Sequence, residues 1–411
     1  MTNRSAARVL PTKATLLTAA VLLTSLGTAP PTACLRLDGS GECTFPAKQI
    51  KGTPWSLQRV LLDELWQSTN KGKGVRVAVI DTGVDDTNPQ LKPVVDKSAG
   101  RDYLTKGKGG DPTNDRVGHG TKVAGIIAAR PRKGTGFVGL APDATIIPIR
   151  QNDADNSGDS DTMAQAITYA VSRGADVINI SQDTTKPLSR TSALAEAVRK
   201  AISRNVVVVA SAGNDGLDGK IKNTYPAAFK GVLAVASSDR NNERAAFSQA
   251  GTFVDVAAPG VDIVSTVPGG GQCTDNGTSF SAPFVAGVAA LLKEKHPHWT
   301  AAQIVTQIEQ TAERPVNGHD DYVGWGVVDP VRAVQESDLA DPPSSPTPDP
   351  GLSKAPAPDV APFSLAETPH ERNERCAAYA LGITIVLVAV ITGTAVVLRD
   401  LRRRHRKDLS A

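Results

Sequence analysis

From Val75 onward, short apolar runs alternate with helical stretches. The runs Val75–Ile80, Thr145–Ile149, Asp176–Ile180, Val206–Ala210 and Val232–Ala236 read as strands. Between them, His119–Ala129, Thr162–Ser172 and Thr191–Arg204 read as helices. Strands that are apolar at consecutive positions are covered on both faces, so the alternation predicts an α/β fold: a central parallel sheet with helices on both faces. Gly277 then opens a segment running to Leu292 that is dense in alanine and glycine and has no polar stripe. That is the pattern of a helix buried on all sides. Thr300 with Gln303 makes a capping box for a further helix ending near Arg314-Pro315, and the domain closes around Val331–Val334. Upstream, Ser56–Trp66 carries Leu57, Val60/Leu61 and Leu65 at near-helical spacing and is expected to form one amphipathic helix.

The two ends of the chain differ from this pattern. Arg4, Arg8 and Lys13 precede an apolar stretch from Ala14 to Leu26. As a helix this stretch reaches about 20 Å, short of the roughly 30 Å hydrocarbon core, so it reads as a secretory signal peptide. A lipoprotein site at Ala33-Cys34 is not expected, because Pro31 stands where such a site wants Leu. Residues Asp338 to Asn373 are proline-rich and read as an extended spacer. Ala377–Leu398 carries no charge and reaches about 33 Å as a helix, enough to span a membrane. Arg399, Arg402, Arg403, Arg404, Arg406 and Lys407 follow, which predicts a cytoplasmic tail and an extracytoplasmic main domain. The expected division is therefore a signal peptide at 1–33, an extension packed on the main domain at 34–74 and the main domain at 75–335. A linker at 336–376, a single span at 377–398 and a basic tail at 399–411 complete it.

Composition adds little except by exclusion. A net charge of +3 over 411 residues, with much of the positive charge in the tail, implies no nucleic-acid partner. Export permits disulfides among Cys34, Cys43 and Cys273, whereas Cys376 abuts the span. Cys34–Cys43 is the simplest pair, and Cys273 with either Cys34 or Cys43 is equally allowed.

Four short blocks carry candidate chemistry, each at the end of a strand or the start of a helix. The strand Val77–Ile80 runs into Asp81-Thr82-Gly83, Gly118-His119-Gly120-Thr121 opens a helix, and Ser211-Ala212-Gly213-Asn214 follows another strand. The fourth is Gly277-Thr278-Ser279, at the mouth of the buried helix. In a parallel sheet, ligands bind at the carboxyl ends of the strands. A serine nucleophile needs an adjacent base, and the base needs a buried acid to fix its tautomer. Asp81, His119 and Ser279 supply those types. A helix N-terminus favours the oxyanion such a serine creates, and the Asn214 amide adds a second donor. No cofactor or metal is expected. Asp153–Gly158 faintly resembles a calcium loop, but the bidentate acid of its twelfth position is Ala164, so a structural calcium is not indicated. The stretch reads instead as a polar rim of the cleft. Gly107–Gly110 and Gly269–Gly271 read as flexible loops.

Together these blocks closely resemble the signature blocks of subtilisin-like serine proteases, over about Trp55 to Val334. Pro54-Trp55, the helix after it, Gly74-Val75 and Val177-Ile178-Asn179-Ile180-Ser181 resemble more specifically the mycosins, membrane-anchored subtilases associated with type VII secretion in actinobacteria. The resemblance implies an endopeptidase acting on protein or peptide substrates, with Asp81, His119 and Ser279 catalytic and Asn214 in the oxyanion hole. It also implies that Ser181 and Gly213 line the substrate backbone. The implied clients are exported proteins, and the implied partners are components of a secretion complex in the membrane. Its rivals are a scaffold whose proteolysis is secondary and a general surface-degrading protease. Where many subtilases have a Ser-Leu-Gly strand that pairs with substrate, this chain reads Ile180-Ser181-Gln182, without the glycine.

Overall fold

A computed structural model describes residues 43–105, 110–153, 158–339, 341–348 and 369–408. The expected signal peptide and Cys34 lie outside them. The chain divides into two units, one ending at Asp349 and the other beginning at Pro350.

Among the described residues, the first unit holds a sheet of seven strands: β1 (Arg76–Asp81), β2 (Arg101–Asp102), β3 (Thr145–Arg150), β4 (Val177–Ile180), β5 (Val207–Ser211), β6 (Leu233–Ser238) and β7 (Val256–Pro259). Their spatial order is β2-β3-β1-β4-β5-β6-β7, and each pair is parallel. An antiparallel hairpin, β8 (Ile263–Thr266) with β9 (Gln272–Asp275), stands apart from it. The helices are α1 (Trp55–Gln58), α2 (Leu62–Gln67), α3 (His119–Ala128), α4 (Ser160–Ser172), α5 (Ala193–Ser203), α6 (Thr278–Lys295), α7 (Ala301–Thr311) and α8 (Pro330–Glu336). The second unit contributes α9 (Pro369–Asp408).

Successive strand residues point to opposite faces, so an unbroken apolar run feeds two cores at once. Val77 and Val79 of β1 join Val177, Val207, Val209 and Leu233 in a core shared with α3, α6, α7 and α8. Ala78 and Ile80 join Ile147, Ile149, Ile178 and Val208 in the core under α4 and α5. The expectation of a parallel sheet covered on both faces is borne out. From β1 the chain goes one way to β2 and β3, then crosses to the other side at β4. That reversal opens a crevice at the carboxyl ends of β1 and β4, where a ligand site is expected.

Several local features differ from the sequence reading. Ser56–Trp66 is not one helix: Leu61 takes a left-handed conformation at φ 51°, which separates α1 from α2. The break lets Leu57, Val60 and Leu65 all reach the core while Leu61 stays exposed. The edge strands β2 and β7 and the hairpin were not foreseen. Two residues are too few to show a period, β7 ends in Pro259, and the hairpin alternates polar residues such as Ser265, Thr266, Gln272 and Thr274. Gly269–Gly271 is a loop, as expected, and forms part of the β8–β9 connection. It is pinned where the Ala47 N–H donates to the Gly270 carbonyl (3.0 Å). Of the three cysteine pairings left open, Cys43–Cys273 is the one formed, tying residue 43 to β9. The segment after Cys43 continues along the first unit, where Trp55 Nε1 donates to the Val261 carbonyl (3.0 Å) and Trp66 Nε1 to that of Leu140 (2.9 Å). In the second unit, α9 begins at Pro369, inside the stretch read as linker, because the polar residues before Ala377 extend the apolar helix.

Candidate active site

The site is assembled at the carboxyl edge of β1, β4 and β5. Asp81 ends β1 and is fully buried. Its Oδ1 accepts from the Thr82 N–H (2.8 Å) and from His119 Nδ1 (2.7 Å). A carboxylate only accepts, so Nδ1 carries the proton and Nε2 of the neutral ring is left as a base. Nε2 has no hydrogen-bond partner among the described residues. His119 is the first residue of α3, and a side chain on Gly120 would run into the Gly83 carbonyl. Glycine there is what lets the helix start against the strand end.

A residue the sequence reading passed over locks this junction. Asp115 Oδ1 accepts from Thr82 Oγ1 (2.9 Å) and the Gly118 N–H (2.8 Å), and its Oδ2 from the N–H (2.9 Å) and hydroxyl (2.6 Å) of Thr121. Thr82 Oγ1 in turn accepts from the Gly120 N–H (2.9 Å). One carboxylate thus joins the end of β1 to the first turn of α3. Its sequence signal is an acid just before a helix start, where free N–H groups need acceptors. Burial raises the Asp115 pKa against these hydrogen bonds. Burial lowers that of His119, but the charge and hydrogen bond of Asp81, helped by Asp115, outweigh it and leave the ring more basic than an ordinary imidazole.

Ser279 is the second residue of α6, which starts after Gly277 at φ 148°, ψ 154°, a conformation almost confined to glycine. The Thr278 N–H is taken by Asn214 Oδ1 (2.9 Å) and the Phe280 N–H by the Gly277 carbonyl (3.0 Å). The Ser279 N–H between them has no partner among the described residues. Further along, Pro283 has no N–H to give the carbonyl four residues back, which is that of Ser279. Ser181 Oγ fills the vacancy (2.9 Å), and the Ser279 hydroxyl donates back to the Ser181 carbonyl (3.0 Å). Ser181 Oγ also accepts from Asn179 Nδ2 (2.9 Å). The His119 ring lies beside Phe280, with centroids 5.3 Å apart.

Asn214 has its orientation fixed by donors. The Thr278 hydroxyl as well as its N–H points at Oδ1 (3.0 and 2.9 Å), so the amide Nδ2 is turned away and free to donate. The Thr278 hydroxyl accepts from the Gly213 N–H (3.2 Å), and the Gly213 carbonyl accepts from that of Gln249 (2.8 Å). Gly213 is therefore buried with both backbone groups engaged. The structure brings Asp81 to His119, Ser279 to Ser181, and Asn214 to the start of α6. It leaves His119 Nε2 and the Ser279 hydroxyl without a mutual hydrogen bond. A cleft of about 640 Å³ is lined by His119, Ser181, Thr82, Gln182, Asp183 and Asp159 among others.

A carboxylate-held histidine beside a serine at a helix mouth, on a parallel sheet covered by helices, defines a serine peptidase of the subtilisin kind. The subtilase family profile (peptidase S8) matches residues 72–326, and the chain belongs to that family. Subtilisin E of Bacillus subtilis (strain 168) is 38% identical over 286 residues, covering 69% of this chain and 72% of the relative. Among solved structures, MycP1 from Mycobacterium smegmatis superposes with a TM-score of 0.63 at 31% identity, covering 79% of this chain and 92% of that one. A chain of an intact ESX-5 inner membrane complex does so with a TM-score of 0.63 at 32% identity, covering 86% and 92%. The chain is a subtilisin-like serine endopeptidase, and the expected resemblance to the mycosins is borne out.

Proposed function

We propose that this endopeptidase works through an Asp81-His119-Ser279 triad outside the cytoplasmic membrane, on exported proteins handled by a type VII secretion system. The Ser279 hydroxyl leaves the Ser181 carbonyl and gives its proton to His119 Nε2 as its oxygen attacks a peptide carbonyl. Asp81 steadies the imidazolium through Nδ1, and the negative oxygen is met by the Ser279 N–H and Asn214 Nδ2. His119 then returns the proton to the leaving amine, and water repeats the sequence on the acyl-enzyme. Gly213 flanks the substrate backbone by shape, since both its backbone groups are engaged, and Ser181 flanks it with the carbonyl that the Ser279 hydroxyl has left. The observation that carries this reading is the 2.7 Å contact of Asp81 with His119 beside an α6 in which the open early N–H belongs to Ser279.

The proposed anchor rests on α9, whose stretch Pro369–Arg403 is long and apolar enough to cross a membrane. The arginines after it support a cytoplasmic tail. The test is labelling of the full-length protein by a serine-directed fluorophosphonate. Labelling that disappears in His119→Ala supports an assembled triad, and folded protein that takes no label overturns it. Likeness to a chain within an ESX-5 inner membrane complex also favours a second role, as a structural part of such a complex. Secretion restored by Ser279→Ala, with processing absent, would assign that role.

A further inference from the structure

After His119, α3 is built of Gly, Thr, Val, Ala and Ile with one exception, Lys122, which is buried with them. Its Nζ donates to Asp275 Oδ2 (2.8 Å) at the end of β9. Asp275 stands four residues before Ser279, so the pair ties the helix that begins with His119 to the strand that leads into α6. The same hairpin reaches α3 twice more. Ser265 Oγ donates to the Lys122 carbonyl (2.6 Å) and Thr266 Oγ1 to that of Thr121 (2.9 Å). Those two bonds already hold the hairpin to the helix without any charge. A buried ion pair adds little stability over apolar side chains of the same shape, because desolvation offsets the attraction. The charge at Lys122 therefore needs another reason. The Lys122 side chain is 8% exposed and that of Asp275 42%, so solvent screens the anion far more than the cation.

Residues three apart on a helix are neighbours, which puts Lys122 one turn from His119. Its charge opposes protonation of the ring, whereas Asp81 and Asp115 favour it. Asp81 reaches the ring from β1 and Asp115 lies just before α3, while Asp153, Asp159, Asp183 and Lys186 line the cleft that His119 shares. We propose, resting on the catalytic reading above, that Lys122 is a positioning residue that holds down the basicity of His119. Asp275 sets how strongly it does so, by fixing the ammonium and partly neutralising it. Without that cation, the carboxylates around the ring keep it protonated, and so useless as a base, to higher pH.

The test follows the rate of fluorophosphonate labelling of full-length protein in detergent as a function of pH, which reads the neutral form of the base. A unit charge roughly 6–10 Å away near a protein surface moves a pKa by about half a unit. Lys122→Met is therefore expected to raise the midpoint of the acid limb by about half a unit. Asp275→Asn, which leaves the ammonium uncompensated, is expected to lower it by a smaller amount. Lys122→Arg keeps the charge and should leave the midpoint in place. General damage lowers the rate at every pH and does not produce shifts of opposite sign. Midpoints of Lys122→Met and Asp275→Asn that coincide with wild type, or that move the same way, overturn the proposal. If Lys122→Met does not fold, the half-exposed Asp275 still decides: an Asp275→Asn midpoint that is not lowered overturns it. Labelled protein whose midpoints do not move sinks this inference alone, whereas folded wild-type protein that takes no label sinks the triad reading with it.

Discussion

Replacing Asn214 two ways separates its proposed catalytic role from a structural one. Its Oδ1 accepts twice from Thr278, at 2.9 and 3.0 Å, and that leaves Nδ2 as the free donor. Asn214→Ala removes both functions. Loss of an oxyanion donor in a subtilisin, a relative of this chain, costs about 10²–10³ in kcat, or roughly 2.7–4 kcal/mol, and the same is expected here. Thr278 is fully buried, and stranding its N–H costs about 1–3 kcal/mol of stability. At about 2–4 °C per kcal/mol for a domain of this size, the melting temperature falls by several degrees. Asn214→Asp keeps an oxygen for Thr278 but aims a second, negatively charged oxygen where the oxyanion forms. It should retain most of the stability and lose at least as much kcat as Asn214→Ala. Steady-state kcat and KM on one peptide, normalised by fluorophosphonate titration and paired with thermal unfolding, measure all four quantities. If Asn214→Asp keeps kcat within about tenfold of wild type while Asn214→Ala loses 10²-fold or more, the residue is an anchor for α6 and not an oxyanion donor.

Because His119 is more basic than an ordinary imidazole and must be neutral to act, the acid limb of kcat/KM against pH should lie above 6.5. Asp81→Asn should move that limb down and cut kcat about 10⁴-fold with the fold intact by circular dichroism. Ser181→Ala strands the Ser279 carbonyl and Asn179 Nδ2, at about 1–3 kcal/mol. Adding Pro283→Ala supplies a helical N–H to that carbonyl, so a double-mutant cycle in urea should show a compensating coupling of about 0.5–1.5 kcal/mol. Away from the site, burial holds Asp255 at about 7 and holds Glu309, which also feels the charge of Asp255, at about 8. A carboxylate raised in the folded state binds its proton more tightly there, so its stability contribution is full below about pH 4 and is lost as pH rises through 7. Asp255→Asn can still accept from the Ala234 N–H and should gain stability relative to wild type at pH 8, on the order of 4 kcal/mol, with much less gain at pH 4. A gain equal at both values would show that Asp255 is not protonated in the native protein.

The sequence revealed the fold wherever burial on two sides forces an unbroken apolar run, as in β1 and β5, and wherever a cap is local, as in the Thr300–Gln303 box of α7. It was silent where the reason for an element lies elsewhere in the chain. β7 has only four residues and ends in proline, yet it pairs with β6 because the core beneath needs Val256 and Ala258. The Cys43–Cys273 bond spans 230 residues, a proximity that spacing cannot supply. Asp115 reads as an ordinary loop acid until Thr82, Gly118 and Thr121 converge on it.

The same division runs through the site itself. Gly277, Thr278 and Pro283 look like a turn followed by an awkward helix, and their meaning lies in what they do to the backbone groups of α6. Thr278 takes Asn214 as its cap, which fixes the direction of Nδ2. Pro283 withholds an N–H, so the Ser279 carbonyl must find Ser181, and that pair draws the end of β4 against the serine. Gly277 turns its own carbonyl toward the Phe280 N–H and leaves the Ser279 N–H open. Each step is a hydrogen-bond assignment that follows from residue type, so these residues set the backbone around Ser279, the proposed nucleophile, whatever the substrate.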